Sequence, residues 1–508
     1  MTTPDKTTTP GQQTAPPITT VAGTGPAAFA GDNGPAVAAQ LNRPIGLAMD
    51  GAGTLLIADC NNHRVRKVTT DGRIGTLAGT GAAGFSGDNG LAVLAQLNQV
   101  RGLAVDSAGT LYIADAANHR IRRITKDGRI TTLAGTGVAG FSGNGAAAAS
   151  AQLNYPLAVA VDSAGVVYFS DYNNNRIRKI TTDGRISTVA GTGAVGFGGD
   201  GGPADKAQLN YPRGLAVDAA GTLYFADGGN NRVRKVAADG RISTVAGTGV
   251  AGFGGDGGPA DKAQLNLAMG MAVDSTGAVY FADYYNNRVR KIATDGRIST
   301  VAGVGTAGFS GDNGQPVKAQ LNNPAAVAVD SVDTLYIADH INNRIRRIAS
   351  PLMAGLPKSG TVVSWANVRS GLRMGVQRES TKDGAEIHQS LAVPREHQRW
   401  RLVVAGQSGG EVLYTIENLR SGKVLEIVDG EEAAGAVAAQ RAYQGSDAHH
   451  QQWRLIPVGP ATDSPRTYEI ANRHSGLLLR VDATAPAAVK QQESDGDQRN
   501  RQWQLLPV

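Results

Sequence analysis

The tetrapeptide Ala-Gln-Leu-Asn occurs six times, with its glutamine at 40, 96, 152, 208, 264 and 320. Each step is 56 residues, and no insertion or deletion breaks the register from about Ile18 to Ser350. A fixed period of this length marks a repeat architecture, so the fold must be one that equal units build together.

The third unit shows what each repeat contains. Val159–Asp162 reads as a short strand, turned by Ser163–Gly165 into a second strand, Val166–Ser170, rich in β-branched and aromatic residues. Asp171–Asn175 is a polar loop, and Arg176–Ile180 a third strand. Asp183-Gly184 is a hairpin signal before a fourth strand, Ile186–Ala190, and a Gly-rich loop leads to the next unit. The 67 glycines against 21 prolines, with no Gly-X-Y period, fit many tight turns. Four short antiparallel strands per unit form a propeller blade, which buries its faces only against its neighbours. A helical solenoid fails because no segment keeps a helical apolar period.

The ends of the array predict closure. Ile18–Gly23 matches a fourth strand, whereas the last unit stops after a third strand, Arg344–Ile348. The N-terminal strand is therefore expected to complete the sixth blade and leave no unpaired edge. The pattern Ala-Gln-Leu-Asn-x-Pro, then Leu-Ala-Val-Asp-x-x-Gly-Thr-Leu-Tyr-Ile-Ala-Asp-x-x-Asn-Asn-Arg-Ile-Arg-Lys, resembles the NHL repeat family. That resemblance implies a six-bladed β-propeller used as an interaction platform; some animal members bind RNA, and related propellers include lactonases and lyases.

The strand order puts the polar loop and the Gly-rich loop on one face, where function is expected. Residues repeated six times read as structural: Asp59 and its five equivalents, and Arg64 and its five, as loop-bracing bonds and ion pairs. Positions that differ between copies are the ligand candidates. After Leu-Asn these are Arg43, Gln99, Tyr155, Tyr211, Leu267 and Asn323; two residues on, Arg101 and Arg213 stand out; in the polar loop, Tyr172, Tyr284, Tyr285 and His340. Aromatics and arginines around a central opening suit a peptide, sugar or acid; drift of surface residues is the alternative. His63 and His119 fall where other copies have Asn and read as tolerated loop residues. The Gly31–Gly34 and Gly199–Gly202 loops invite a calcium reading but lack the carboxylate spacing of an EF-hand, and turn chemistry accounts for them. No catalytic residue, metal or cofactor is assigned.

Composition changes after Ser350, and all four tryptophans lie beyond it. Residues 351–359 have the Pro/Gly punctuation of a linker, and 360–508 suit one further domain. Ser370-Gly371, Ser421-Gly422 and Ser475-Gly476 mark three units, ending at Gln398-Arg-Trp400, Gln451-Gln-Trp453 and Arg501-Gln-Trp503. Three such units with a buried aromatic each fit a β-trefoil. The run Ser-Gly-Lys-Val-Leu-Glu-Ile, followed by Gln-Gln-Trp, resembles the ricin-type lectin family. In that family a sugar pocket uses an acidic residue, a stacking aromatic and an Asn-Gln pair. Carried over, the second unit is nearly complete: Glu426, Tyr443, His450 in place of Asn, and Gln451. The first unit has Gly375 and Ser390 in the acidic and aromatic slots, with Gln398 kept. The third has Arg480, Glu493 and Arg501.

The expected molecule is all-β: a propeller over 18–350 and a trefoil over 360–508, after a disordered tail at 1–17. Its expected role is carbohydrate or glycoconjugate binding without catalysis. The alternatives are a protein-interaction scaffold with a structural trefoil, or a propeller lyase or lactonase. The expected partners are a glycan or glycoprotein, with a protein or peptide on the propeller face. A net charge of +6 sits mostly in the repeated Arg-x-Arg runs, which favours internal pairing over nucleic acid. A single cysteine, Cys60, excludes an internal disulfide and a cysteine-ligated zinc. No run is long enough for a membrane helix. The polar start, Met1 to Pro17, has no Sec-type apolar segment, so a cytoplasmic location is expected, with non-Sec export as the alternative.

Overall fold

The computed structural model describes residues 16–350, 356–357, 359–370, 372–392, 395–408, 411–445, 447–458, 466–481, 487–492 and 501–507. The expected tail lies almost wholly outside these residues, as do Pro351–Gly355 and Lys358 of the expected linker, Gly371 and Glu493.

The repeats fold into six four-stranded antiparallel sheets, five of them with their strands in sequence order. In the third blade the strands are Pro156–Val161, Val167–Asp171, Arg176–Ile180 and Ile186–Ala190. The first strand starts three residues before its expected beginning at Val159. Its register shifts between Pro156 and Val159, and that irregularity breaks the alternation by which a strand is read. The sixth sheet is completed as expected: Ile18–Ala22 pairs antiparallel with Arg344–Ile348, with Ile18 opposite Ile348. Ile18 is fully buried among Val289, Ala302, Leu321 and Ile337, residues of the fifth and sixth blades.

Around the axis the first strands meet backbone to backbone. The facing positions are Gly46, Gly102, Ala158, Gly214, Gly270 and Ala326. A Cβ at Gly214 would lie 2.4 Å from Gly270 Cα, and one at Gly102 would lie 2.6 Å from Ala158 Cα. Only a cavity of about 80 Å³ remains on the axis, lined by Arg101, Arg213, Ile45, Leu157, Met269 and Ala325 among others.

The repeated charges are internal. Arg66 is fully buried and bonds Asp59 Oδ2 at 3.4 Å and Asp32 Oδ1 at 2.6 Å. Asp59 also accepts from Asn42 N and Asn62 Nδ2. The ion-pair partner of the repeated aspartate is thus Arg66 and its equivalents, two residues beyond the arginines expected to brace the loop. Arg64 instead donates to Asn62 O and Thr80 O and lies 3.7 Å over the Phe29 ring. In the third blade Asn144 takes the place of Asp32, and Arg178 Nη2 reaches its Oδ1 at 3.2 Å. The acids of the Gly-Asp-x-Gly loops are engaged in the same motif, as where Asp200 pairs with Arg234.

The C-terminal strands form a six-stranded barrel with three outlying hairpins. Thr361–Asn367 pairs with both Trp400–Ser408 and Gln502–Pro507, which brings the first and last strands together. Glu411–Asn418, Trp453–Val458 and Thr467–Asn472 complete the circuit. The pseudo-threefold is written in the core. The indole N–H groups of Trp400, Trp453 and Trp503 donate to Met374 O, Leu425 O and Leu479 O. Gln389, Gln440 and Gln491 are each buried and accept from Ser370, Ser421 and Ser475 at 2.6–2.7 Å. The fold is therefore all-β, a six-bladed propeller followed by a β-trefoil.

Candidate functional site

Two places gather the candidate residues. At the first, the long-loop face of the propeller, five of the six polar loops make one 3-10 turn, the sixth makes a simple turn, and all six end in a left-handed residue, as Tyr172–Asn174 does before Asn175 (φ 50°). The residue after Leu-Asn is also left-handed: Arg43 at 53°, Tyr155 at 58°, Tyr211 at 50° and Leu267 at 61°. Such a backbone is uncommon for side-chain-bearing residues and needs external support. The previous blade supplies it. Asn175 Oδ1 accepts from Tyr211 N at 2.9 Å, and Asn343 Oδ1 accepts from Arg43 N at 2.8 Å, closing the circle. In the first two blades His63 Nδ1 and His119 Nδ1 accept from Gln99 N and Tyr155 N, each at 3.1 Å. These histidines are blade-to-blade linkers that copy the asparagine carbonyl. Burial, then a neighbouring arginine, holds both imidazoles below their ordinary value, which suits the acceptor role.

The candidates converge over the axial cavity. Arg101 Nη2 donates to Tyr155 Oη at 3.1 Å, and Tyr155 Oη donates to Gln99 Oε1. Arg213 Nη2 donates to Tyr172 Oη at 3.1 Å, and its Nη1 meets Met269 Sδ at 3.4 Å. The Tyr172 ring stacks on Tyr211 at 5.0 Å and stands 6.4 Å from Tyr155. On the far side Tyr284 contacts Tyr285 and His340. His340 Nδ1 donates to Pro44 O at 3.1 Å, and burial brings its imidazole down to about 4. Arg43, Arg101 and Arg213 all act electrostatically on Tyr284. Met269 and Gly228 belong to the cluster but carry no sequence signal of their own, whereas Gln99 is one of the positions after Leu-Asn that vary between copies. Gly228 makes room, since a Cβ there would lie 2.8 Å from Arg213 Cδ. Among the described residues no group of three His, Cys, Asp or Glu is placed to hold a metal ion.

At the second place, the second trefoil unit, Glu426 and Gln451 are buried and joined. Gln451 Nε2 donates to Glu426 Oε2 at 3.1 Å and to Ala442 O at 3.2 Å, while its Oε1 accepts from Gln444 N at 2.9 Å. One amide thus fixes the residues on either side of Tyr443, which is 49% exposed. His450 Nε2 stands 3.6 Å from Glu426 Oε2. Sequence reasoning missed Arg441, whose Nε donates to Glu426 Oε1 at 2.7 Å. It sits in strand alternation with the buried Gln440, which gives a chance to see it but not to pair it. In the first unit Gln398 turns to Ser390 Oγ and Leu391 O, and its Cγ would lie 2.8 Å from a Cβ at Gly375. In the third, Arg501 Nε donates to Glu469.

Comparison with known proteins agrees with this architecture. The Teneurin NHL domain family matches residues 81–141, 139–197, 195–253 and 287–349, and the NHL repeat matches 41–68. The ricin-type beta-trefoil lectin domain-like family matches 354–441, 396–488 and 449–508. Teneurin-m of Drosophila melanogaster is 29% identical over 368 residues, 64% of this chain and 13% of that protein. Teneurin-1 of Gallus gallus is 31% identical over 287 residues, 49% of this chain and 10% of that protein. The chain therefore spans only a small part of the teneurins it matches. A Bacteroides thetaiotaomicron protein of unknown function shares the fold at 22% identity and a TM-score of 0.50, over 66% of this chain and 76% of that one. From the sixfold repeat, the closed ring, the threefold tryptophan core and these matches, the chain carries an NHL-repeat six-bladed β-propeller followed by a ricin-type β-trefoil lectin-like domain.

Proposed function

We propose that this is a non-catalytic carbohydrate-recognition protein, taking sugar at the second trefoil unit and using the propeller as an interaction platform. The observation that carries this reading is the Gln451 clamp. It presents an exposed aromatic ring beside a buried carboxylate, the pairing that packs on a sugar's C–H face and accepts from its hydroxyls. The other two units carry neither an acid in the acidic slot nor an aromatic in the aromatic slot, so a single weak site is expected, and a second surface on the propeller would raise avidity. The test is a glycan array with the full chain and Tyr443→Ala. The exposed ring has no core role, so the variant should melt like the parent and lose glycan signal. A parent that retains no glycan, or a variant that retains all of it, overturns the reading. The second reading is a protein-interaction scaffold with a structural trefoil. It is favoured by Arg441, which already occupies one oxygen of Glu426. Among the described residues no helix is long and apolar enough to cross a membrane.

A further inference from the structure

Among the described residues, positive charge gathers at the propeller mouth with no acid paired to it. Arg101 and Arg213 occupy one repeat position in the second and fourth blades, where the other blades place Ile45, Leu157, Met269 and Ala325. Both line the axial cavity of about 80 Å³. Among the described residues neither forms an ion pair, although Arg66, Arg122 and their equivalents each hold a buried aspartate. Each is instead steered by a tyrosine hydroxyl at 3.1 Å, and each has a buried Nε without a hydrogen-bond partner. Arg43 adds a third guanidinium at the rim, also without an ion pair among the described residues. Like charges held together on rigid strands repel in the free protein, and an anion relieves that cost. The planar guanidinium fork matches a carboxylate.

Size and surroundings narrow the class. A cavity of about 80 Å³ admits little more than a headgroup. The body of a ligand must stay above it, against Tyr155, Tyr172 and the exposed Tyr211, whose rings offer faces rather than further charge. We propose that the propeller mouth binds a small ring-bearing organic acid, its carboxylate on Arg101 and Arg213 and its ring against Tyr172 and Tyr211. This site is independent of the trefoil.

The experiment is calorimetric titration of the full chain with benzoate, cyclohexanecarboxylate and inorganic phosphate. None of these probes is a sugar, so the trefoil reading is not at stake. Saturable binding of at least one carboxylate, tighter than phosphate, is expected. Arg101→Met and Arg213→Met should each weaken it by on the order of tenfold. Methionine already fills this position in the fifth blade, so both variants should keep the parent melting temperature. Arg73→Met, which removes an exposed, ion-paired arginine from the opposite face, should change nothing. Three results overturn the proposal: no saturable binding of either carboxylate at millimolar concentration, affinities untouched in both mouth variants, or phosphate bound as tightly as the carboxylates.

Discussion

Closure of the ring by its first strand can be tested at one side chain. Ile18 has five equivalents, Ile74, Ile130, Ile186, Ile242 and Ile298, and all six are at most 1% exposed. Ile186 packs within a continuous blade, among Phe169, Ile180 and Leu153. Ile18 does the same work from a separate piece of chain, and its carbonyl accepts from Asn313 N at 2.7 Å. Truncation to alanine removes about three methyl or methylene groups at ~0.8 kcal/mol each, and the cavity left behind brings the cost to about 2–5 kcal/mol. If the first strand is an integral part of the sixth blade, Ile18→Ala and Ile186→Ala should cost the same within about 1 kcal/mol. Urea unfolding followed by far-ultraviolet circular dichroism measures both. Every tryptophan lies in the trefoil, so indole fluorescence serves as an internal control that neither variant should shift. An Ile18→Ala protein within about 0.5 kcal/mol of the parent, beside a strongly weakened Ile186→Ala, would refute the reasoning, because ordinary surface changes fall in that range.

Two further predictions follow from the linkers and the charges. Asn144→Asp should restore the second carboxylate of the third blade and stabilise it by roughly 1 kcal/mol, a figure that allows for solvent screening at a position where the other blades' aspartates are about one-third exposed; equilibrium unfolding that shows a loss instead would disprove it. His63 and His119 sit below their ordinary value near 6.5 in the folded ring, so the stability they confer is complete above that value and declines as pH falls through it. His63→Asn with His119→Asn, the residue used by the other four blades, should flatten the fall in melting temperature between neutral and mildly acid pH; an unchanged slope would exclude these two groups as its source.

Most of the fold was legible because covalent periodicity repeats every signal six times. The missing fourth strand at one end and the spare one at the other determined where the ring closes. Detail was lost where two residues are chemically alike. Arg64 and Arg66 stand in the same strand alternation, and only burial separates the one that stacks on Phe29 from the one that holds Asp59. The ring of Gly46, Gly102, Gly214 and Gly270 was equally hidden, because a glycine in a turn-rich repeat does not announce a close approach of backbones. The mouth residues were visible as departures from the repeat, and all nine candidates lie together there. Their partners Gln99 and Met269 were not seen as such, since pairing across blades depends on the rotation from one sheet to the next. In the trefoil the sugar-slot residues could be placed by family spacing, but that spacing is silent about a substituent such as Arg441.

The pairing of Ile18–Ala22 with Arg344–Ile348 has a kinetic consequence. During synthesis the opening strand must wait, unpartnered, until nearly the whole repeat array has been made, and the array then presents a matching vacancy. Two chains in that unfinished condition hold mutually complementary ends, and exchange of strands between them builds linked rings or open strings instead of single discs. Crowded expression should therefore favour tangled assemblies, and slow, dilute refolding should favour solitary rings.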